Sequence, residues 1–380
     1  MKKVVDFLGS YGLCAVLLGF LFILTFLGTV EQVNHGLFEV QKKYFESLFL
    51  THWVGGVFPV PLPGVYLVLM VLFVNLTVGG LVKIRKSTAT VGVIVIHVGI
   101  LIMLAAGFVK LKYASDGNIA LYPGQSTDEY SSFYEWEVAI WDAAQVQDVN
   151  ERIIPESDFL DLEGSRTRLF DSKDLPFKLE LSHFVKNARV LPKGPRWEAV
   201  GPTVEGFAVM SAKLEKDAEH NIAGLYTKID GKDGILWGLE RFPIVVNAGG
   251  RSWAVALRKK HFKMPFTITL DKFSHEFYPN TEIAKVYASE VTVHDQHSSH
   301  GAKIEMNAPL RDRGIIVFQS FFGPPNAPPG TPLYSGFAVV ENPSDQWPLT
   351  SCIVIAIGMT IAFGQKLYRY IQAQSAARNA

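Results

Sequence analysis

Four stretches of the chain are almost wholly apolar: Tyr11–Val30, Gly64–Val82, Thr88–Val109 and Pro348–Gln365. A bilayer's hydrocarbon core, about 30 Å thick, is crossed by roughly 20 apolar residues in a helix. The stretches therefore predict four spans, the last only just long enough. Between the third and fourth, from Lys110 to Trp347, apolar and polar residues alternate instead. Runs such as Tyr134–Trp141, Phe177–Leu181, Ser252–Leu257, Phe266–Leu270 and Gly314–Phe318 have the period of half-buried strands, and turn residues separate them. Many short strands without long helical patterns predict an antiparallel sandwich or barrel. The expected fold is thus four transmembrane α-helices, three N-terminal and one C-terminal, with a large exported all-β, sandwich-like domain. The predicted regions are 1–109 (spans near 11–30, 64–82 and 88–109), 110–347 and 348–380.

Finer features follow from the same patterns. Phe38, Phe45, Leu48, Phe49 and Trp53 recur near helical spacing with Lys42, Lys43 and Glu46 between them, which predicts an interfacial helix over about 36–53. His35 and His52 bracket it. Pro176–Phe184 and Pro265–Phe273 resemble each other, either as two related half-domains or as two strands with one burial pattern. The proline-rich stretch Gly323–Pro332 fits a loop.

Charge adds orientation and removes function classes. Lys2 and Lys3, the Lys83–Lys86 turn, and Lys366 with Arg369 fall on one side of a four-span chain, which places both termini in the cytoplasm and the β domain outside. Lys110 and Lys112 dissent. No small-x-small site follows the first run cleanly, so it is expected to remain as an anchor. With 36 basic and 36 acidic residues, the chain has no basic footprint for nucleic acid. Its two cysteines, Cys14 and Cys352, lie inside predicted spans, leaving no Cys-x-x-Cys-His or Cys-x-x-Cys motif. Hydrolase elbows, zinc-helix motifs and phosphate-binding glycine loops are also missing.

His97 is the main candidate for chemistry. It lies in the uncharged third run, where an ionisable group is costly and usually faces a bundle interior or cavity, and imidazole ligates metals, haem iron included. Asn75, the one strongly polar residue of the second span, lies as far before Lys86 as His97 lies after it. It is the candidate to fix the ring's tautomer. Gly92, Gly99 and Gly107 form a small-residue stripe suited to close helix packing. At about 100° per residue, His97 points away from it. The ring is either a ligand or a neutral histidine packed within the bundle. His294, His297 and His300 crowd a short segment but read as a solvated hairpin tip, and His261 and His275 read as strand or loop residues.

In several regions the chain resembles the ResB family of cytochrome c biogenesis proteins. The resemblance rests on Phe26–Gln32 (FLGTVEQ), Asn75-Leu76, and His97–Leu101 (HVGIL). It continues through Leu270–Tyr278 (LDKFSHEFY), Tyr287–Val293 (YASEVTV), Met306–Leu310 (MNAPL) and Gly314–Ser320 (GIIVFQS). The resemblance implies a cytoplasmic (inner) membrane protein whose β domain faces the periplasmic side, acting in the pathway called system II. Its implied partners are a CcsA-type membrane protein, apocytochrome c and a thiol-reducing protein. Haem b in transit is the implied cofactor, and His97 matches the position that the family ties to haem. The chain has no tryptophan-rich haem-presenting segment, so it is expected to act as an accessory subunit of a haem lyase and not alone. The alternative is a non-catalytic membrane scaffold whose outer domain recruits partners. A transporter is disfavoured because the spans lack broken-helix pairs.

Overall fold

A computed structural model describes residues 2–145, 150–171, 175–195, 197–279, 281, 284–295, 298–324, 328 and 330–378. The chain divides into two compact units, residues 1–114 with 342–380, and residues 115–341.

The first unit holds four helical stretches long and apolar enough to cross a membrane: Tyr11–His35, Val65–Val82, Thr88–Tyr113 and Trp347–Arg378. A short helix α1 (Lys2–Leu8) precedes α2 (Tyr11–His35), and Ser10 caps α2 by accepting from the Leu13 N–H at 3.2 Å. The second span begins as α4 (Val65–Asn75) and continues over Leu76–Val82 with π-helical geometry. The third is α5 (Val91–Tyr113) and the last α6 (Trp347–Arg378). Leu17, Leu24, Val65, Val68 and Leu72 join α2 to α4 through one apolar cluster.

The glycine stripe on α5 is a helix seam, though not over its full length. A Cβ on Gly92 would meet the Ala362 nitrogen at 2.6 Å, and one on Gly99 would meet Ile355 Cγ1 at 2.5 Å, so α6 packs backbone to backbone there. Ser351 Oγ donates to the Gly99 carbonyl at 2.7 Å. Gly107 has nothing within 4 Å and takes no part.

The segment between the first two spans departs from the expected helix over 36–53. Helix α3 (Leu37–Val40) runs into a π-helical turn ending at Phe45, and the chain then forms a hairpin of β1 (Phe49–Val54) and β2 (Phe58–Pro63). The reason is local. Phe49–Val54 is rich in aromatic and β-branched residues, which fit a strand. Gly55 and Gly56 take the positive φ values of 62° and 73° that turn the chain. Trp53 is therefore a strand residue.

The second unit is all-β apart from short 3₁₀ turns among the described residues. Its strands are β3 (Ser115–Leu121), β4 (Ser126–Asp142), β5 (Arg152–Pro155), β6 (Thr167–Phe170), β7 (Leu179–Val185), β8 (Ala188–Pro192), β9 (Phe207–Ser211), β10 (Gly224–Ile229) and β11 (Lys232–Trp237). They continue with β12 (Ile244–Ala248), β13 (Arg251–Phe277), β14 (Ala284–His294), β15 (Ser299–Glu305), β16 (Leu310–Asp312), β17 (Ile315–Gly323) and β18 (Tyr334–Glu341). The large sheet runs β15-β14-β13-β4-β3-β18-β17-β16, with β12 and β5 pairing beside β13 and β4; a second sheet runs β11-β10-β7-β6. All pairings are antiparallel.

Two cores result, and β4 and β13 run through both. Trp253, Val255 and Leu257 of β13 pack in one core with β7 and β10, whereas Met264, Phe266, Ile268 and Leu270 pack in the other with β14, β17 and β18. The buried positions change from odd to even along the stretch where the β13–β4 register shifts, between Lys259 and His261 and again between Lys263 and Ile268. The resembling segments Pro176–Phe184 and Pro265–Phe273 fall one in each core. Phe177, Leu179 and Leu181 point into the first as Phe266, Ile268 and Leu270 point into the second. The two strands share a burial pattern.

Candidate functional site

His97 faces the second span. A Cβ added to Gly80 would stand 2.8 Å from both Cγ and Nδ1 of the imidazole, so the ring nests against bare backbone where α4's continuation is π-helical. Such wide turns often occur at functional positions. The adjoining Gly79 is approached on its own side by the Gly9 carbonyl, 2.9 Å from where its Cβ would be. The Gly79-Gly80 pair thus lets two backbones and one ring share a short length of helix. As the stripe geometry predicts, the ring lies away from the α5–α6 seam.

The electrostatic setting of His97 is unusual. Its Nδ1 is buried with no hydrogen-bond partner among the described residues, and Nε2 is not closed off in the same way. A buried polar atom left unpaired costs about 1–3 kcal/mol.

Asn75 and His97 are not brought together by a hydrogen bond. Asn75 is buried, and its Nδ2 donates to the Leu8 and Ser10 carbonyls at 2.7 and 3.1 Å. Both carbonyls lie at the break between α1 and α2: Leu8 ends α1, where helix ends leave acceptors unsatisfied, and Ser10 also accepts from the Cys14 N–H. The expected orienting partner of the ring is instead a tie between the first two spans. His97 lies level with Gly80 and not with Asn75, so the spacing settled neither the depth nor the facing of the pair.

The other histidines separate in the same way. β14 and β15 form a hairpin in which His294 pairs with Ser299 and Val293 with His300, so His294 and His300 project from opposite faces. His294 Nδ1 lies 3.0 Å from Ser299 Oγ. His297 lies outside the described residues. Among the described residues, no group of three or more His, Cys, Asp or Glu side chains is arranged to hold a metal ion.

A charged crossing that sequence reading missed lies where β4 and β13 pass from one core to the other. Arg258 donates to Glu137 at 2.9 Å and also forms a bidentate pair with Glu151. Glu137 is almost fully buried. Lys259 donates to the Phe133 carbonyl at 2.8 Å and sits over the Trp136 ring, 4.2 Å from its centroid. Burial pushes the Lys259 ammonium down to about 8, against weak opposition from Glu156 and Glu219. Burial, then the Arg258 charge, also lowers His261, while Glu129 at 3.3 Å pulls the other way. The signal was present: four consecutive cationic types, Arg258–His261, interrupt a strand pattern opposite the alternating Glu135 and Glu137.

The β domain also carries a similarity to known proteins. Residues 213–328 match the ResB-like family model. The matched segment begins after β9 and covers β10 to β17, so it includes the whole of β13 and the hairpin with His294. The match is a similarity of this segment to the ResB-like family, and the four helices long and apolar enough to span support a membrane protein. The ResB-like segment covers less than half of the chain and includes none of the spans. No curated protein matches the chain.

Proposed function

We propose that the chain is the ResB-like subunit of a cytochrome c synthase complex, which passes haem across the cytoplasmic membrane and supports its attachment to apocytochrome c. Haem is cargo in this reading, and His97 is the iron ligand offered to it. The observation that carries the assignment is the imidazole held on Gly80 inside a span, with one nitrogen buried and unpaired. An apolar, dry setting suits haem, whose behaviour a protein tunes by ligand identity and burial. With Nδ1 buried against Gly80, Nε2 is the nitrogen left to ligate. Positive residues at the turn and termini favour the β domain outside, on the side where apocytochrome thiols would be met. A CcsA-type membrane protein would complete the complex.

The scaffold alternative shares the packing on Gly80 and differs in one respect: the ring would then only pack. The test is the visible spectrum of the complex purified in detergent, with His97 intact and as His97→Ala. Loss of a ligated Soret band on substitution is expected. An unchanged band removes His97 from the ligand set and leaves the scaffold reading.

A further inference from the structure

Outside the membrane spans, a second imidazole is held with more care than His97. Tyr44 is fully buried, and its hydroxyl lies 2.5 Å from Glu31 Oε2 and 2.6 Å from His52 Nδ1. Glu31 Oε1 accepts from Lys43 Nζ at 2.5 Å. Glu31 lies in the last turns of the first span, Lys43 and Tyr44 sit on the π-helical turn, and His52 is on β1, so three separate pieces of chain converge.

Counting protons fixes the ring. With Lys43 against it, Glu31 is a carboxylate and can only accept. Tyr44 has one hydrogen to give, and a second acceptor at 2.5 Å from a hydroxyl oxygen would be repelled, so that hydrogen goes to Glu31. Burial and the Glu31 charge both raise the Tyr44 pKa, which keeps the hydroxyl neutral. The Tyr44 oxygen must then accept from His52, and Nδ1 carries the ring proton. The lone pair is left on Nε2, which has no hydrogen-bond partner among the described residues. A carboxylate-anchored N–H opposite a free nitrogen is the arrangement that orients metal-bound histidines and raises their basicity.

The surroundings select the kind of metal. From Ser47 to Gly64 there is no Lys, Arg, Asp or Glu, and among the described residues no group of three or more His, Cys, Asp or Glu side chains is arranged to hold a bare cation. Strand alternation instead puts Val54 on the face of His52, and the pairing Val54–Phe58 puts Phe58 there too. Both are exposed, at 54% and 66%. One neutral nitrogen beside an exposed apolar apron suits a metal already held in a flat apolar macrocycle.

We propose that His52 is a second haem-iron ligand of this chain, positioned through Tyr44 by Glu31. It rests on haem being the cargo, as proposed above, but not on His97 binding it. Tyr44 and Glu31 are positioning residues: they set the ring's tautomer and do not touch iron.

The test is a titration of the purified full-length chain in detergent with hemin, followed by the Soret band. Four proteins are compared: wild type, His97→Ala, His52→Ala and the double variant. The His97→Ala chain is expected to keep a histidine-ligated spectrum that the double variant loses. In the His97→Ala background, Tyr44→Phe should retain hemin with roughly 10- to 100-fold weaker affinity and a higher iron reduction potential. A fold loss would not produce that pair of changes. His52→Gly in the same background should recover the ligated spectrum on addition of free imidazole. If His97→Ala and the double variant give one spectrum and one affinity, His52 is not a ligand, whatever His97 does. Loss of the ligated spectrum in His97→Ala with His52→Ala unchanged likewise overturns the present proposal while upholding the earlier one.

Discussion

Replacing Gly80 with alanine tests the cradle under His97 with a single methyl group. That carbon would lie 2.8 Å from the ring's Cγ and Nδ1 and 3.1 Å from Cε1, whereas carbon–carbon contacts are most favourable at about 3.5–4.0 Å. The ring or the helix must therefore move by several tenths of an ångström or more. Overpacking of this kind costs about 1–3 kcal/mol, while alanine regains about 1 kcal/mol of helix propensity. Net stability should fall only slightly. The displaced ring, however, carries the strain directly into ligation, and 1–3 kcal/mol corresponds to roughly a five- to hundredfold loss of affinity. The assay is a hemin titration of Gly80→Ala beside Gly107→Ala, with thermal unfolding of both in the same detergent. Gly107 has nothing within 4 Å, so the same methyl there should leave affinity unchanged and stability equal or slightly higher. Indistinguishable titrations for the two variants would refute the cradle.

Three further outcomes follow from contacts elsewhere. Asn75→Ala removes the side-chain donor to the Leu8 carbonyl, while Ser10 keeps the Cys14 N–H, and should lower stability by about 1–3 kcal/mol in a detergent melt. The hemin spectrum should not change, and a shift in iron ligation would mean that Asn75 acts on His97 after all. Gly92→Val forces a side chain onto the Ala362 backbone; loss of the α5–α6 seam should appear as faster protease cleavage around α6, and wild-type cleavage would discount that seam. Lys259 should give a pH signature. Its folded-state value, near 8, lies below the ordinary value of 10.5, so between these limits the unfolded chain binds more protons and stability rises with pH. Below about pH 8 the burial penalty is present in full, and it fades towards pH 10.5. Melts should show that rise in wild type and lack it in Lys259→Met; equal slopes would count against a buried, destabilised ammonium.

Sequence patterns revealed the large divisions because each has its own period. Unbroken apolar runs gave the four spans, and alternation gave the β domain between them. The angle between His97 and the glycine stripe was also legible, since helical geometry is fixed once a helix is granted. What escaped depended on partners distant in sequence. Helical spacing of Phe38, Phe45 and Trp53 did not survive the pairing of Phe49–Val54 with Phe58–Pro63. Asn75 was expected level with His97, yet the ring sits opposite Gly80 and the Asn75 donors went to the α1–α2 break, which no spacing rule encodes. The Glu31–Tyr44–His52 arrangement joins a span end, a π-helical turn and a strand, so no linear motif announces it. The parity change along β13 was hidden for a similar reason: the register shifts beside it are a property of the pairing with β4.

The hairpin before the second span has one consequence for how other chains can approach it. Its returning strand places Pro59, Pro61 and Pro63 at every second position, opposite Trp53, Thr51 and Phe49. Proline has no N–H, so these three must occupy the slots directed away from β1, and that outer margin has no amide donors at those positions. A neighbouring polypeptide therefore cannot extend the hairpin there by strand addition. Recognition at that margin is left to side-chain shape and to lipid, and the loop is guarded against the edge-to-edge association that exposed, charge-free strands invite.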